Sequence, residues 1–254
     1  MDNKFDKVCV VKKKKSFIAL GVFGSFLALT IIFSIVLSPL LGLNYLGGLF
    51  SKNANGTVCA NYYAVVIDSK TDNESTATEM AQKIRIRGGA GVLIQQKTYL
   101  IAVSAYQSKT DAEKVANQIA TDEMSPELLK IEIKSKTSKL SESEKEEYNR
   151  CFDFILLVID SLYELSSKLD KGEITEINAN LQIKNLLLDA SYLNQELFSK
   201  RNNHFKNLKT IVSSTTNLLE YIANEDVLAS TLLPYSSDIR RTYMRILFLI
   251  YEMN

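Results

Sequence analysis

The sequence predicts an α+β protein built from an N-terminal transmembrane helix, a ferredoxin-like βαββαβ domain and a C-terminal antiparallel helical bundle. Three observations lead to this prediction. A long uncharged stretch lies near the N-terminus, a strand–helix–strand pattern occurs twice within 61–134, and helical periodicity fills 141–254. The remaining boundaries place a basic tail at 1–15, the anchor with an interfacial segment at 16–50, and a polar linker at 51–60.

The anchor prediction rests on the distribution of charge. Lys12–Lys15 precede a segment, from Ser16 to Phe50, that contains no charged residue. Within it, Phe17–Leu37 is long enough to cross a bilayer core, which needs about 20 apolar residues. Because the lysines lie on its N-terminal side, we expect a cytoplasmic N-terminus and extracytoplasmic C-terminal domains. The run is longer than the ~7–15-residue core of a signal peptide, so we expect one retained membrane span rather than a cleaved signal.

The domain at 61–134 consists of two copies of one strand–helix–strand pattern. The turn Ser69-Lys70-Thr71-Asp72 recurs letter for letter at Ser108-Lys109-Thr110-Asp111. The predicted helices, Ala77–Arg87 and Ala112–Asp122, carry apolar residues at matching positions, spaced as on one helix face. The predicted strands are Tyr62–Ile67, Gly91–Gln95, Thr98–Tyr106 and Leu129–Ile133. This order of elements is the split βαβ arrangement.

The repeat resembles the SPOR domain, the sporulation-related repeat of bacterial envelope proteins. The matching residues are Tyr63–Ile67, Gly88–Gln95 and Thr98–Val103, followed by Tyr106, Ser108, Ala112 and Ala116. The resemblance implies a SPOR-type domain that binds the glycan strands of septal peptidoglycan, in cell division or in remodelling of the sporulation septum.

Strand alternation predicts which sheet residues form a binding face. Tyr63, Val65 and Ile67 should face the two helices. The opposite face collects Tyr62, Ala64, Val66, Leu100, Ala102 and Ser104, and it is mostly apolar, whereas a solvated face should be polar. Two interpretations follow: this face takes up a glycan strand or a protein partner, or another part of the same chain covers it.

The glycan-binding hypothesis adds two rings and two cations to this face. Tyr62 and Tyr106 are candidate stacking rings. Arg85 and Arg87 either meet an anionic polymer or form a solvated helix end. The full set of candidate residues is Tyr62, Val66, Leu100, Ser104, Tyr106, Arg85 and Arg87. We interpret the neighbouring Gly88–Gly91 as a helix C-cap and turn, because no phosphate-loop lysine follows it.

Four helices are predicted beyond the repeat. Ser141 with Glu144 forms a capping box that opens the first, which ends near Leu169. The second runs from about Thr175 to Lys200, with Ile177, Leu181, Leu188 and Leu197 among its apolar positions. The third carries Phe205, Leu208, Val212, Thr215, Leu219 and Ile222 on one face. The last follows Pro234, with Ser237 or Asp238 as its cap and Ile239, Tyr243, Ile246 and Ile250 as its stripe. Short polar connections favour antiparallel neighbours.

Composition excludes several classes of function. A net charge of +1 gives no basis for binding nucleic acid. A lone histidine, His204, and three scattered cysteines do not form a metal cluster, so we expect no metal, cofactor or enzymatic activity. A bridge between Cys59 and Cys151 and two separate thiols both remain open. The two functional hypotheses are therefore a peptidoglycan-binding module and an envelope scaffold that contacts other envelope or division proteins through its bundle or its apolar sheet face.

Overall fold

Strands and helices alternate in the first half of the described chain, and helices alone form the second half, as the α+β prediction requires. The computed structural model describes residues 51–52, 58–121, 124–135, 137, 140–200, 203–224 and 233–253. The predicted tail at 1–15 and the predicted anchor at 16–50 lie outside these residues. Among the described helices, none is long and apolar enough to cross a bilayer.

The sheet and its two helices come first in the chain. Their bounds are β1 Ser51–Lys52, β2 Val58–Asp68, α1 Glu74–Ile86, β3 Val92–Gln95, β4 Tyr99–Tyr106, α2 Lys109–Ile119 and β5 Pro126–Lys134. The four long strands are antiparallel in the order β5-β2-β4-β3, which is the strand order of the split βαβ arrangement. Two-residue β1 pairs with the start of β2, so strand structure begins inside the predicted linker.

The central strand pair contains a β-bulge. Val65 lies opposite Ser104 and Val66 lies opposite Ala102, so Val103 of β4 has no opposite residue in β2. A bulge of this kind increases the local twist and re-aims the neighbouring side chains.

The repeated tetrapeptide does not form the same structure twice. Ser108 caps α2, and its side chain accepts a hydrogen bond from the Asp111 amide at 3.3 Å. In the first copy Asn73 is the cap, accepting from the Thr76 amide at 3.2 Å, and Ser69 lies in the preceding loop. The prediction that the tetrapeptide forms the same turn in both copies was wrong. In the second copy its serine is the N-cap, whereas in the first copy the N-cap is Asn73, four residues after Ser69, so the helix begins farther from the preceding strand.

Four longer helices follow the sheet. They are α3 Glu142–Asp170, α4 Glu176–Phe198, α5 Lys206–Ala223 and α6 Tyr235–Met253, with a 3₁₀ turn at Asn203–Phe205. Ser141 and Glu144 form the predicted capping box, in which the Ser141 amide and hydroxyl both donate to the Glu144 carboxylate. The first two bundle helices begin and end within two residues of the prediction.

One detail of the helix predictions was wrong, and one was left undecided by the sequence. The last helix begins at Tyr235, so Ser237 and Asp238 lie in its first turn and are not its cap. In α4, Ile177, Leu181 and Leu188 point to solvent, and only Leu197 of the predicted set is buried. The residues that face the core are instead Ala179, Asn180, Ile183, Ala190, Leu193 and Leu197.

The sheet separates two apolar layers. On one side, α1 and α2 pack against it, and a small cluster centred on Val65, Ala112 and Ala116 fills the space beneath α2. On the other side, α3 and α6 pack against the sheet, and one continuous core runs from the strands through all four longer helices. The described residues therefore belong to one compact unit, Phe50–Asn254, and the sheet shares its larger core with the bundle.

Candidate functional site

The apolar sheet face that the sequence offered as a binding platform lies inside the protein. Tyr62 and Val66 are each 3% exposed and are part of the core shared with α3 and α6. Leu100 is half-buried against the same core. Ser104 is buried, and its hydroxyl lies 2.8 Å from the hydroxyl of Tyr243 on α6. The structure agrees with the second interpretation of this face, in which another part of the same chain covers it.

Both candidate stacking rings are held by α3. The Tyr62 hydroxyl donates to Oδ1 of Asp160 at 3.2 Å, and the Gln107 amide donates to the same oxygen at 2.9 Å. Tyr106 meets the ring of Tyr163 edge-on, with ring centroids 5.8 Å apart. The contacts that a sugar ring would need are thus made within the chain.

Asp160 is an unusual residue at this interface. Burial raises the pKa of its carboxyl to about 6, and the hydrogen bonds from Tyr62 and Gln107 offset only part of that effect. Its second oxygen, Oδ2, is buried with no hydrogen-bond partner among the described residues. Burial and the charge of Asp160 together raise the pKa of Tyr62. A carboxylate is therefore held at the joint between sheet and bundle in a place that disfavours its charge.

Arg85 and Arg87 have different surroundings. Arg85 donates to Asp238 of α6 at 2.6 Å, in an ion pair with little solvent exposure. Arg87, the C-cap residue of α1, is exposed. The interpretation of Arg85 as part of a solvated helix end is wrong, because its guanidinium joins α1 to α6 and has little solvent exposure; contact of Arg85 with an anionic polymer stays a prediction.

The glycine loop, Gly88–Gly91, follows α1 as predicted and has a second role that the sequence did not reveal. Gly88 and Gly91 have positive φ angles of 90° and 56°. The loop presents its carbonyl oxygens to α6, where Ser237 donates to Gly89 at 2.7 Å and Arg240 donates to Gly88. The polar side chains expected to cap α6 thus attach it to the sheet instead.

A groove of about 530 Å³ runs beside the other end of the sheet. One wall is β3, which pairs only with β4 in the part of the chain that the structure describes. The other walls are α5 and α6. The residues that line it include Val92–Ile94, Leu218, Tyr221, Arg245, Phe248 and Glu252. We call this feature the β3 groove.

The β3 groove is positively charged at one end. Arg241, one helical turn before Arg245, donates to the carbonyl of Gly91 at 3.3 Å, directly before β3. Burial, followed by the charges of Arg85 and Arg245, lowers the pKa of Arg241. The nearest acid, Asp238, is already paired with Arg85. A further anion at this end would relieve the repulsion between the guanidinium groups.

The opposite end of the groove carries an acid. Glu252 lies seven residues after Arg245 on α6, a distance of about 10 Å along a helix axis. Between the two charges α6 contributes Phe248 and Leu249, and the α5 wall contains Leu218 together with the polar Ser214 and Asn217. The groove therefore has an acidic end, a mostly apolar middle and a basic end beside Val92–Ile94 at the edge of the sheet.

Comparison with protein-family models, with curated proteins and with solved structures found no match to this chain.

No group of three or more His, Cys, Asp or Glu side chains within the described residues could hold a metal ion. Cys151 is fully buried in α3 and forms no disulfide with Cys59, and burial raises the pKa of its thiol to about 11. A thiol in that state is a poor nucleophile.

Sequence reasoning missed the β3 groove for a physical reason. Positions outside the apolar stripes of α5 and α6 are expected to face solvent, and they include Tyr221, Arg245, Phe248 and Glu252. The available signal was that β3 is short and lies second in a split βαβ order, which makes it an edge strand. The sequence pattern did not indicate which helices would lie beside that edge.

Proposed function

We propose that this protein is a non-enzymatic scaffold of the bacterial cell envelope that binds an extended peptide of a partner protein in the β3 groove. Its predicted N-terminal span would hold residues 51–253 at the outer side of the membrane. The observation that supports this proposal is the juxtaposition of a free strand edge with an apolar groove that has opposite charges at its ends.

An edge strand is a template for a peptide. Half of the backbone N–H and C=O groups of an edge strand point away from the sheet, and an added strand can pair with them. Alternate side chains of that peptide would then point into the groove, against Leu218 and Phe248. Backbone pairing would supply affinity, and the groove would supply selectivity.

The charges fix the direction and composition of the peptide. Both β3 and α6 run from the arginine end of the groove toward the Glu252 end. A strand added antiparallel to β3 has its C-terminal part at the arginines. We therefore expect an acidic residue, or a C-terminal carboxylate, near Arg245 and a basic residue three or four positions before it, near Glu252. Apolar side chains should separate the two.

A second candidate function is binding of peptidoglycan glycan strands, which the resemblance to SPOR domains favours. Tyr63–Ile67 and Thr98–Val103 carry that resemblance, and they form the two central strands. For a glycan to reach the face that contains Tyr62 and Val66, α3 and α6 would have to leave it. The shared core makes that opening costly, so the scaffold is the better-supported candidate.

Two binding experiments distinguish the two candidate functions. Both use a fragment that spans 50–254, the whole compact unit. In the first, a displayed library of random peptides is selected against the fragment. We expect peptides with the charge order described above, and we expect Arg245→Glu to weaken their binding at least tenfold. Lys206→Glu, an exposed residue at the start of α5, is the matched control and should have no effect.

A charge-reversed groove provides the sharpest version of this selection. The double variant R245E/E252K should select peptides in which the acidic and basic residues have exchanged places. If it selects the same peptides as the wild type, or if no peptide is enriched at all, the proposal is wrong. In the second experiment, retention of the wild-type fragment on peptide-stripped cell-wall glycan would support the glycan candidate, and no retention would remove it.

A further inference from the structure

Helix α4 carries a row of large apolar side chains that point to solvent. Ile177 and Tyr192 are each 76% exposed, Leu188 is 67% exposed and Leu181 is 60% exposed. We call these four residues the α4 stripe. At 100° per residue they fall within about 60° of one another on the helix surface. Single exposed apolar residues are ordinary, but four of them in one sector over four turns, with the exposed Lys184 among them, are typical of an interaction surface.

The opposite side of the same helix is already used. Ile183, Ala190 and Leu193 face the protein core, about 180° around the helix from the α4 stripe. A helix in a globular protein normally has one apolar side and one polar side. Because α4 is apolar on both, its outer side has the composition of a helix that is covered by another element.

The spacing of the stripe is symmetric. Ile177 and Leu181 are four residues apart, Leu181 and Leu188 seven, and Leu188 and Tyr192 four. This pattern reads the same in both directions. Two antiparallel copies of α4, related by a two-fold axis between residues 184 and 185, therefore place Leu181 opposite Leu188 of the second copy and Ile177 opposite Tyr192. A two-fold interface requires such self-complementarity.

The size and charge of the surface also fit a second copy. The four side chains expose on the order of 600 Å², close to the roughly 800 Å² that each partner contributes to a standard interface. A lipid surface is a poor fit, because α4 has one basic residue, Lys184, against the three acids Glu176, Asp189 and Glu196. Helices that bind membrane surfaces are usually rich in lysine and arginine on their polar side.

We propose that the protein forms a two-fold symmetric dimer through antiparallel packing of the α4 stripes of two copies. This interface is separate from the β3 groove, which lies against α5 and α6. Each dimer thus presents two grooves, and a scaffold of this form links two peptide segments. The dimer is expected whether or not the groove binds a peptide.

The test is the oligomeric state of the 50–254 fragment, measured by sedimentation equilibrium up to about 100 µM, a range that detects micromolar dissociation constants. The wild type should be a dimer. Leu181→Lys and Leu188→Glu should each weaken the dimer at least tenfold, because each places a charge against an apolar partner. The double variant L181K/L188E should recover it, since an antiparallel pair brings the introduced lysine of each copy beside the introduced glutamate of the other.

Matched variants guard against misinterpretation. Gln182→Glu changes an exposed residue on the same helix outside the stripe and should leave the dimer intact. All these positions are exposed, so the circular dichroism spectrum of each variant should match that of the wild type.

Each remaining outcome counts against the proposal. A wild-type monomer throughout the concentration range overturns it. So does a dimer that survives both single substitutions, which would place the interface elsewhere. Monomeric single variants without recovery in the double variant would overturn the antiparallel register. Binding of the wild-type monomer to vesicles of anionic phospholipid, lost in Leu188→Glu, would show that lipid covers the stripe instead.

Discussion

Replacing Asp160 with asparagine tests the electrostatics of the joint between sheet and bundle. The pKa of this carboxyl is raised from 3.8 to about 6, chiefly by burial. Asparagine keeps an oxygen that can accept from Tyr62 and Gln107, and it cannot ionise. The substitution should therefore remove the pH-dependent cost of the charge, while its NH2 group takes the place of the buried, unpartnered Oδ2 and adds a cost of about 1–3 kcal/mol that does not vary with pH.

The magnitude follows from the difference between the folded and unfolded pKa values. Each pH unit of that difference is worth about 1.4 kcal/mol, which sets an upper limit of about 3 kcal/mol. Because the carboxyl retains some contact with solvent, we expect the free energy of unfolding of Asp160→Asn, relative to wild type, to rise by about 2 kcal/mol between pH 4 and pH 7.5. The folded state binds the proton more tightly, so wild-type Asp160 is harmless below about pH 4, and its cost grows as the pH rises to about 6.

Urea denaturation at pH 4, 5, 6 and 7.5 measures this dependence. The stability of Asp160→Asn relative to wild type should be lowest at pH 4, should rise through pH 5 and should level off above about pH 6. Asp189→Asn, on the exposed side of α4, is the control and should change stability by less than about 0.5 kcal/mol at every pH. A difference between Asp160→Asn and wild type that does not vary with pH, or that falls as the pH rises, would refute the reasoning.

Three further predictions concern the core and its turns. Tyr243→Phe removes the hydroxyl 2.8 Å from Ser104 and leaves a buried group without that contact, so unfolding by urea should show a loss of about 1–3 kcal/mol. Gly91→Ala should cost about 3 kcal/mol or more, because a Cβ there meets a backbone oxygen of α1 at 2.5 Å; Gly172→Ala, also at positive φ but in open space, should cost only about 1 kcal/mol, and equal losses would contradict the steric argument. Cys151 should react with a thiol reagent at pH 8 only when the protein unfolds, because it is fully buried and its thiol has a pKa of about 11, and prompt labelling of the folded protein would contradict that.

The order of the elements could be predicted because local signals agreed with one another. Strand alternation, turn residues and the capping box at Ser141 each depend on residues that are a few positions apart in the sequence. The local sequence is therefore sufficient to predict them. Strand alternation also placed Tyr62, Val66 and Leu100 on one face correctly, and the apolar character of that face indicated a cover. The bulge at Val103 did not disturb this assignment.

The sequence pattern could not predict how elements that are distant in the sequence pack against each other. In α4 both sides are apolar, so periodicity could not decide which of its apolar positions face the core. Ser237 and Asp238 suit a helix cap by composition, but their partners, Gly89 and Arg85, lie about 150 residues away in sequence. The β3 groove depends in the same way on where α5 and α6 come to rest beside an edge strand.

The attachment of α6 to the glycine loop has a consequence for biosynthesis. A ribosome releases the strands first, and α6 is the last of the described elements to emerge. Until α6 arrives, α3 alone can cover the inner side of the sheet, and the side chains that α6 would bury remain open to nonspecific contact. A nascent chain of this protein is therefore most vulnerable to aggregation in the interval between completion of β5 and arrival of residues 235–253, and truncation before α6 should leave a product that chaperones or proteases capture.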